Sequence, residues 1–195
     1  MSAMKEILTS IRLVILSVLV CCVIYPAAML LFGRIVVPWK ADGSLLASET
    51  GHIIGSAKLA QGFTRPEYFW PRPSAVNYDA SATGGSNLSP TNPKLSERAE
   101  SIIKPYGLKD DEHIPADLVT ASGSGMDPHI TLEAARFQAA RVAAVRGLPQ
   151  ERLETLILQD SEVPTLRVFG GEMLVNVLRL NLALDGLAEG DTPRL

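Results

Sequence analysis

The chain has 195 residues, of which 18 are basic and 21 acidic, so its formal net charge is -3. This balance provides no basic surface and argues against a nucleic-acid-binding protein. The two cysteines, Cys21 and Cys22, are adjacent in an apolar segment, which excludes a disulfide framework for the rest of the chain.

An uncharged apolar segment covers residues 13–33. A helix that crosses a bilayer needs ~20 such residues, and a cleaved signal peptide has a shorter core followed by a small-residue cleavage site. Pro26 lies inside the segment, and membrane helices tolerate proline where neighbours satisfy the freed carbonyl. We therefore predict a tail at residues 1–12, a retained transmembrane helix at 13–33, and a single mixed α/β domain at 34–195.

The region after the anchor begins with short apolar runs at residues 37–63, which predict short strands or a hairpin. Residues 64–93 are then dense in Pro, Gly, Ser, Thr and Asn, as in a long loop. Disordered segments are poor in aromatics, whereas this one contains Tyr68, Phe69 and Trp70. We expect an ordered, irregular loop held in place by its aromatic side chains.

Helices are predicted in the second half of the chain. Asn92 and Pro93 form a good cap and first-turn pair for a helix that stops at Pro105. Further helices are expected at 131–147, from Pro149 onwards, and at 174–187, with a short strand and turn at 165–171. These elements give the expected fold class: an α+β (mixed α/β) soluble domain anchored by one N-terminal transmembrane helix.

A stretch of small residues, Thr-Ala-Ser-Gly-Ser-Gly, leads into the helix at 131–147. One interpretation is a tight turn in which Asp127 and Pro128 cap the helix, with Thr131 as a competing cap. The other is an anion site formed by free N–H groups at the start of the helix. A second glycine-rich stretch around Asn87 has no helix after it, so a turn that presents Asn87 to neighbouring backbone is the preferred interpretation.

Catalytic signals are weak. The chain has no Gly-Lys pair and therefore no P-loop, and its three histidines lack metal-site spacing. Ser124, Asp127 and His129 contain the residue types of a hydrolase triad, but close neighbours in sequence seldom converge on one another. We expect neither a catalytic residue nor a metal site. A membrane-tethered hydrolase is kept as the least favoured alternative.

Five stretches together resemble one family. They are YFWPRPSAVNY, GGSNLSPTNP, DLVTASGSGMDPHIT, FQAARVAAVR and VNVLRLNLALDGL, in this order after a single N-terminal span. The chain is similar to KdpC, the C subunit of the bacterial potassium-transporting Kdp ATPase. The resemblance implies an accessory subunit that assembles with KdpA, KdpB and KdpF in the inner membrane. It also implies a catalytic chaperone, which raises the ATP affinity of the hydrolysing subunit and has no cofactor of its own.

There are two sets of candidate site residues, and the resemblance implies the first of them. A direct nucleotide contact, as an alternative function, would use Ser122, Gly123, Ser124, Gly125 and Gln138. Candidate partner-docking residues, for which local packing is the competing role, are Tyr68, Phe69, Arg72, Asn87, Asp127 and His129.

The family places its amino terminus in the cytoplasm and its domain outside, where ATP is scarce. Charge does not decide the orientation, because two basic residues precede the span and two follow it: Lys5 and Arg12, then Arg34 and Lys40. We expect the outside placement and an indirect effect on ATP affinity.

Overall fold

The computed structural model describes residues 2–48, 51–108, 113–163 and 171–189. The chain divides into two compact units, Met1–Leu45 and Leu46–Leu195.

The first unit is helical. Helix α1 (Ser2–Val18) continues through a π-helical turn (Leu19–Ile24) into α2 (Tyr25–Val36), and a short α3 follows (Pro38–Ala41). The stretch Ala3–Val36 is long and apolar enough to cross a membrane, and none of it is buried within the protein. The expected apolar N-terminal helix is thus confirmed, and it extends beyond residues 13–33 at both ends.

The second unit combines helices with short strands, which confirms the mixed fold class. Its helices are α4 (Pro93–Ile103), α5 (Ala116–Val119), α6 (Leu132–Arg146), α7 (Gln150–Gln159) and α8 (Val177–Glu189), and a 3-10 turn spans Lys104–Tyr106. The strands, including one that starts at the end of the first unit, are β1 (Leu45–Ala47), β2 (Ile53–Ser56), β3 (His129–Thr131), β4 (Ser161–Glu162) and β5 (Leu174–Asn176).

Two small sheets are formed by these strands. β1 and β2 make the hairpin expected between residues 37 and 63. The other sheet has the order β3-β5-β4, and both of its strand pairs are antiparallel. Of the strand and turn predicted at 165–171, all but Gly171 lies outside the described residues.

Local signals set the ends of α4 and α6. The Asn92 side chain accepts a hydrogen bond from the Lys94 N–H at 3.0 Å, and Pro93 occupies the first turn. Helix α6 ends at Gly147, whose φ of 65° is the left-handed conformation that glycine adopts at little cost. Both of these predictions are confirmed.

The predicted cap at Asp127 and Pro128 is wrong. Strand β3 separates these residues from α6, and Thr131 caps the helix by accepting from the Ala134 N–H at 3.1 Å. Asp127 instead accepts from the His129 N–H two residues ahead, at 3.0 Å. The small-residue stretch thus enters a strand and not a helix.

The predicted helix at 174–187 begins later than expected. Residues Leu174–Asn176 pair with β3, so their backbone groups are used in the sheet. Asn176 then caps α8, because its side-chain oxygen accepts from the Arg179 N–H at 3.2 Å.

The main core lies between α6, α7, α8 and the three-stranded sheet. It also includes Phe69 of the irregular loop, and the Phe69 side chain has no exposed surface. The large side chains of this core, apart from Phe69, are Leu118, Ile130, Val142, Leu153, Ile157, Val175, Val177, Leu180 and Leu184. A satellite cluster of Leu46, Ala57 and Leu178 joins the β1–β2 hairpin to α8.

Candidate functional site

A cleft of about 470 Å³ lies beside the loop that precedes β3; we call it the Asp127 cleft. Its lining combines small and charged side chains: Lys58, Leu59, Arg72, Ser122, Gly123, Ser124, Met126, Asp127, Pro128 and His129. Six of the residues named from the sequence as nucleotide or docking candidates therefore share one surface depression: Arg72, Ser122, Gly123, Ser124, Asp127 and His129.

Hydrogen bonds from its backbone N–H groups hold the loop in place. Ser122 donates its N–H to Pro73 O at 3.3 Å, and Gly125 donates to Ser122 O at 3.3 Å. The Met126 N–H donates to Ser124 Oγ at 3.1 Å. A phosphate cradle works by pointing several free N–H groups at the ligand. Three of the N–H groups at this loop are already engaged within the fold.

The two glycine-rich stretches pack against each other. Gly84 donates its N–H to Ser124 O at 2.8 Å, and the Thr83 hydroxyl donates to the same oxygen at 3.1 Å. A Cβ atom on Gly85 would lie 3.1 Å from Gly123 O. Sequence reasoning treated these stretches separately, and the small residues in both were the only signal of such a close approach.

Asn87 lies just beyond this contact and is exposed. Its φ of 51° is left-handed, a conformation that asparagine tolerates better than most residues. The predicted turn is not formed: residues 82–89 are irregular, and the Asn87 side chain forms no hydrogen bond with any described residue.

Charge in the cleft centres on Asp127. The carboxylate accepts from the backbone N–H of His129, whose ring Nδ1 lies 3.1 Å from Oδ1, and Arg72 Nη1 lies 3.7 Å from Oδ2. The hydrogen bonds from His129 hold the pKa of Asp127 below its usual range, Arg72 adds to this, and partial burial opposes it. Lys58 is exposed at the same cleft. With Lys58 and Arg72 beside a single carboxylate, the cleft suits an acidic group from a partner.

Ser124 and His129 are not joined as a nucleophile and its base. Ser124 is exposed, its Oγ accepts from Met126, and no hydrogen bond links it to His129. Over the described residues, no group of three potential metal ligands is found.

Gln138 lies elsewhere, on α6, and is only 1% exposed. Its side-chain oxygen accepts from the Trp70 N–H at 2.8 Å, and its amide nitrogen donates to Trp70 O at 3.0 Å. It borders a separate cleft with Tyr106 and Arg141. The structure therefore does not bring Gln138 into the Asp127 cleft with Ser122–Gly125.

A second buried amide holds the preceding residue in the same way. Asn181 on α8 accepts from the Phe69 N–H at 2.9 Å and donates to Phe69 O at 3.0 Å. Residues 69 and 70 of the irregular loop are thus held by side chains from two different helices. Such paired hydrogen bonds replace the backbone pairing that a strand would obtain from a sheet.

Arginines complete this attachment. Arg141 donates to Tyr68 O at 3.1 Å, and its guanidinium lies 3.8 Å from the centre of the Trp70 ring. Arg146 donates to Glu67 O at 3.0 Å and pairs with Asp185 at 2.6 Å. The Tyr68 hydroxyl donates to the same carboxylate at 3.0 Å.

Tyr68 and Phe69, both candidates for docking, thus have internal roles. The Tyr68 side chain is half-buried, and that of Phe69 is inaccessible. The loop is anchored as expected, but buried amides and arginines hold it together with its aromatics. Arg72, Asp127 and His129 remain at the surface.

Comparison with known proteins identifies the family. A family model described as "KdpC: K+-transporting ATPase, c chain" matches residues 7–186. A "Potassium-transporting ATPase KdpC subunit" from Parvibaculum lavamentivorans is 47% identical over 182 residues, covering 93% of this chain and 97% of the relative. One from Synechocystis sp. is 45% identical over 189 residues, covering 93% and 98%. The match includes both the apolar helix and the folded unit, and the chain belongs to the KdpC family.

Proposed function

We propose that this chain is a single-pass accessory subunit of a potassium-transporting ATPase in the bacterial inner membrane, where it assembles with KdpA, KdpB and KdpF. The observation that carries the proposal is the family match over residues 7–186, which includes the membrane helix as well as the folded unit. An anchor and a folded domain together allow one subunit to contact its partners both inside and outside the bilayer.

The chain would have no catalytic residue of its own. Ser124 and His129 are not hydrogen-bonded to each other, and Gln138, Arg141 and Arg146 are engaged in holding the irregular loop. These internal contacts support a structural role for the polar residues of the FQAARVAAVR stretch.

The chain would act as a catalytic chaperone that raises the ATP affinity of the hydrolysing subunit. A docked domain changes a partner's affinity only if it contacts one conformational state of that partner better than another. The Asp127 cleft suits such a contact, because Lys58 and Arg72 can pair with an acidic group that only one state presents. Coupling of this kind is typically worth ~1–3 kcal/mol.

A direct nucleotide contact is the second candidate. It is favoured by the two cations that line the same cleft as Ser122, Gly123 and Ser124. An NMR titration separates direct nucleotide binding from the indirect effect. Millimolar ATP is added to the full chain in detergent, and the Ser124 and Gln138 amide signals are followed. Saturable shifts at Ser124 would establish direct binding at the Asp127 cleft, and unchanged signals at both residues would support the indirect effect.

We also propose that the folded domain lies outside the cytoplasm, and a topology measurement tests this placement. Lys94 on α4 is exposed, and a Lys94→Cys variant would present a thiol there, whereas Cys21 and Cys22 would be shielded by the bilayer. A membrane-impermeant maleimide should label the variant, but not the unaltered chain, on spheroplasts with intact inner membranes. Labelling only after lysis would place the domain in the cytoplasm and overturn this part of the proposal.

Assembly is tested by affinity purification. A tag on this chain should recover potassium-stimulated ATPase activity from mildly solubilised membranes. A tagged chain that is well folded but brings no ATPase with it would refute the role in the complex.

A further inference from the structure

The apolar helix of the first unit changes its hydrogen-bond spacing near its middle. At the end of the π-helical turn Leu19–Ile24, Tyr25 donates its N–H to Val20 O, five residues back, in place of the usual four. Pro26 comes next, and proline in a regular helix collides with the carbonyl four residues before it. The wider turn relieves this collision.

The wider turn leaves the Cys21 carbonyl without its helical donor. At the regular spacing that donor would be the Tyr25 N–H, which is given to Val20. At the wider spacing it would be the nitrogen of Pro26, which has no hydrogen. The Cys21 oxygen thus loses its donor at the regular spacing and at the wider spacing.

A second polar group lies beside it. Tyr25 is four positions after Cys21, so the two share one side of the helix. Its ring is on the outside of the helix, with 63% of the residue exposed, and its hydroxyl forms no hydrogen bond with any described residue. A backbone acceptor and a phenolic donor therefore form one polar spot on an apolar helix.

This polar spot lies at the middle of the predicted span. Arg12 and Arg34 bracket the uncharged run 13–33, whose centre is residue 23. Cys21 and Tyr25 are each two residues from that centre, or about 3 Å along the axis. The edge of a ~30 Å hydrocarbon layer is then roughly 12 Å away. Neither lipid tails nor interfacial water can satisfy the two groups at this depth.

We propose that this polar spot, formed by Cys21 O and Tyr25 OH, is a docking spot for a membrane helix of another subunit of the ATPase. The docked helix carries a hydroxyl or amide side chain at mid-bilayer. Such a side chain can donate to the carbonyl and accept from the phenol at the same time. Polar side chains of this kind join helices within membranes. The inference rests on the proposed function, because it requires the chain to be anchored beside other membrane subunits.

Photo-crosslinking in the full complex tests the docking spot. Tyr25→p-benzoylphenylalanine keeps an aromatic ring at the spot, and the same replacement at Val23, on a different side of the helix, is the matched control. With the tagged chain expressed beside the other subunits, irradiation should join it to another subunit at position 25, at several times the yield at position 23.

Equal yields at the two positions, or no protein adduct at position 25, would overturn the inference. An adduct of twice the mass of this chain would show that a second copy occupies the spot, and would also overturn it. If the tag recovers no ATPase at all, the proposed function fails; an intact complex without the adduct refutes the docking spot alone.

The hydroxyl can be tested without a crosslinker. Tyr25→Phe removes one intramembrane hydrogen bond, and a bond of average strength corresponds to about a threefold loss of association. The concentration at which half of the chain dissociates from the complex, measured by dilution in mild detergent, should rise by this factor. Phe32→Leu, which removes an aromatic ring without a polar group, should leave retention unchanged. Equal retention of Tyr25→Phe and the unaltered chain would contradict a bond at the hydroxyl.

Discussion

Gln138 shows how one buried side chain can organise a long irregular segment. Its amide satisfies both backbone groups of Trp70, and it also accepts a hydrogen bond from Arg141 at 2.8 Å. Pattern analysis could place Gln138 on a helix, but it could not find its partner, because Trp70 lies 68 positions earlier in the chain. A family resemblance marks such a residue without telling whether it binds a ligand or the protein itself.

Replacing Gln138 should therefore lower stability. Gln138→Ala leaves the Trp70 N–H and C=O without their partners, and each unsatisfied group costs ~1–3 kcal/mol when shielded from water. We expect the free energy of unfolding to fall by about 2–4 kcal/mol, measured by urea denaturation of the detergent-solubilised chain. Gln150→Ala, at the exposed start of α7, is the control and should change it by less than ~0.5 kcal/mol. Similar values for both variants would contradict the role assigned to Gln138.

Asp160 is a residue whose charge is unfavourable in the folded chain. Its side chain is only 10% exposed, and Oδ2 is buried without a hydrogen bond to any described residue. Burial raises the pKa of Asp160 from 3.8 to about 6, although Arg179, 3.9 Å away, opposes the rise. The folded chain thus binds the carboxyl proton of Asp160 more firmly than the unfolded chain does. Protonated Asp160 therefore adds to the stability of the fold, fully below pH 3.8, and this contribution is lost as the pH rises through 6.

Asp160→Asn should remove this pH dependence. The variant should be about 1–3 kcal/mol more stable than the unaltered chain at pH 8, where Asp160 is ionised, and nearly equal to it at pH 4. Thermal unfolding across this range measures the difference, with the exposed Glu97→Gln as the control that shows no such gain. A variant that is destabilised more at pH 8 than at pH 4 would show that the charge of Asp160 is favourable.

At the scale of elements, short-range signals defined the start of α4 and the end of α6. Asn92 with Pro93, and Gly147, mark helix ends through hydrogen bonds and dihedral angles that involve only neighbouring residues. The strands β3 and β5 have three residues each and pair His129 with Asn176, so only a distant contact makes them strands. For the same reason, the packing of Gly84 against Ser124 could not be read from either stretch alone.

The loop at 122–125 offers a matched test of this packing. Gly125 has a φ of 70°, and a Cβ there would lie 2.7 Å from Val76 Cγ2 and 2.9 Å from Gly84 O. Gly125→Ala should cost about 2–4 kcal/mol of unfolding free energy, from the left-handed backbone and the collision together. Gly123→Ala meets nothing within 4 Å and should cost less than ~1 kcal/mol. Equal effects in urea denaturation would show that the loop is not held against residues 83–85.

At the scale of the whole molecule, the family could be identified from the sequence because its five stretches occur together. Several of these stretches contact one another: α6 holds Trp70, α8 holds Phe69, and Gly84 packs on the loop at Ser124. Most of the marked residues thus maintain the fold. Among the docking candidates, the charged side chains left at the surface are those of Arg72 and Asp127, and His129 lies beside them at the Asp127 cleft.

The most direct test of the account is the ATP dependence of hydrolysis by the purified ATPase, measured with and without this chain. We predict that the chain lowers the KM for ATP by roughly 5-fold or more, within the range expected for allosteric coupling, while hydrolysing no ATP alone. An unchanged KM, or hydrolysis by the isolated chain, would contradict the claim that it is a non-catalytic subunit that raises ATP affinity.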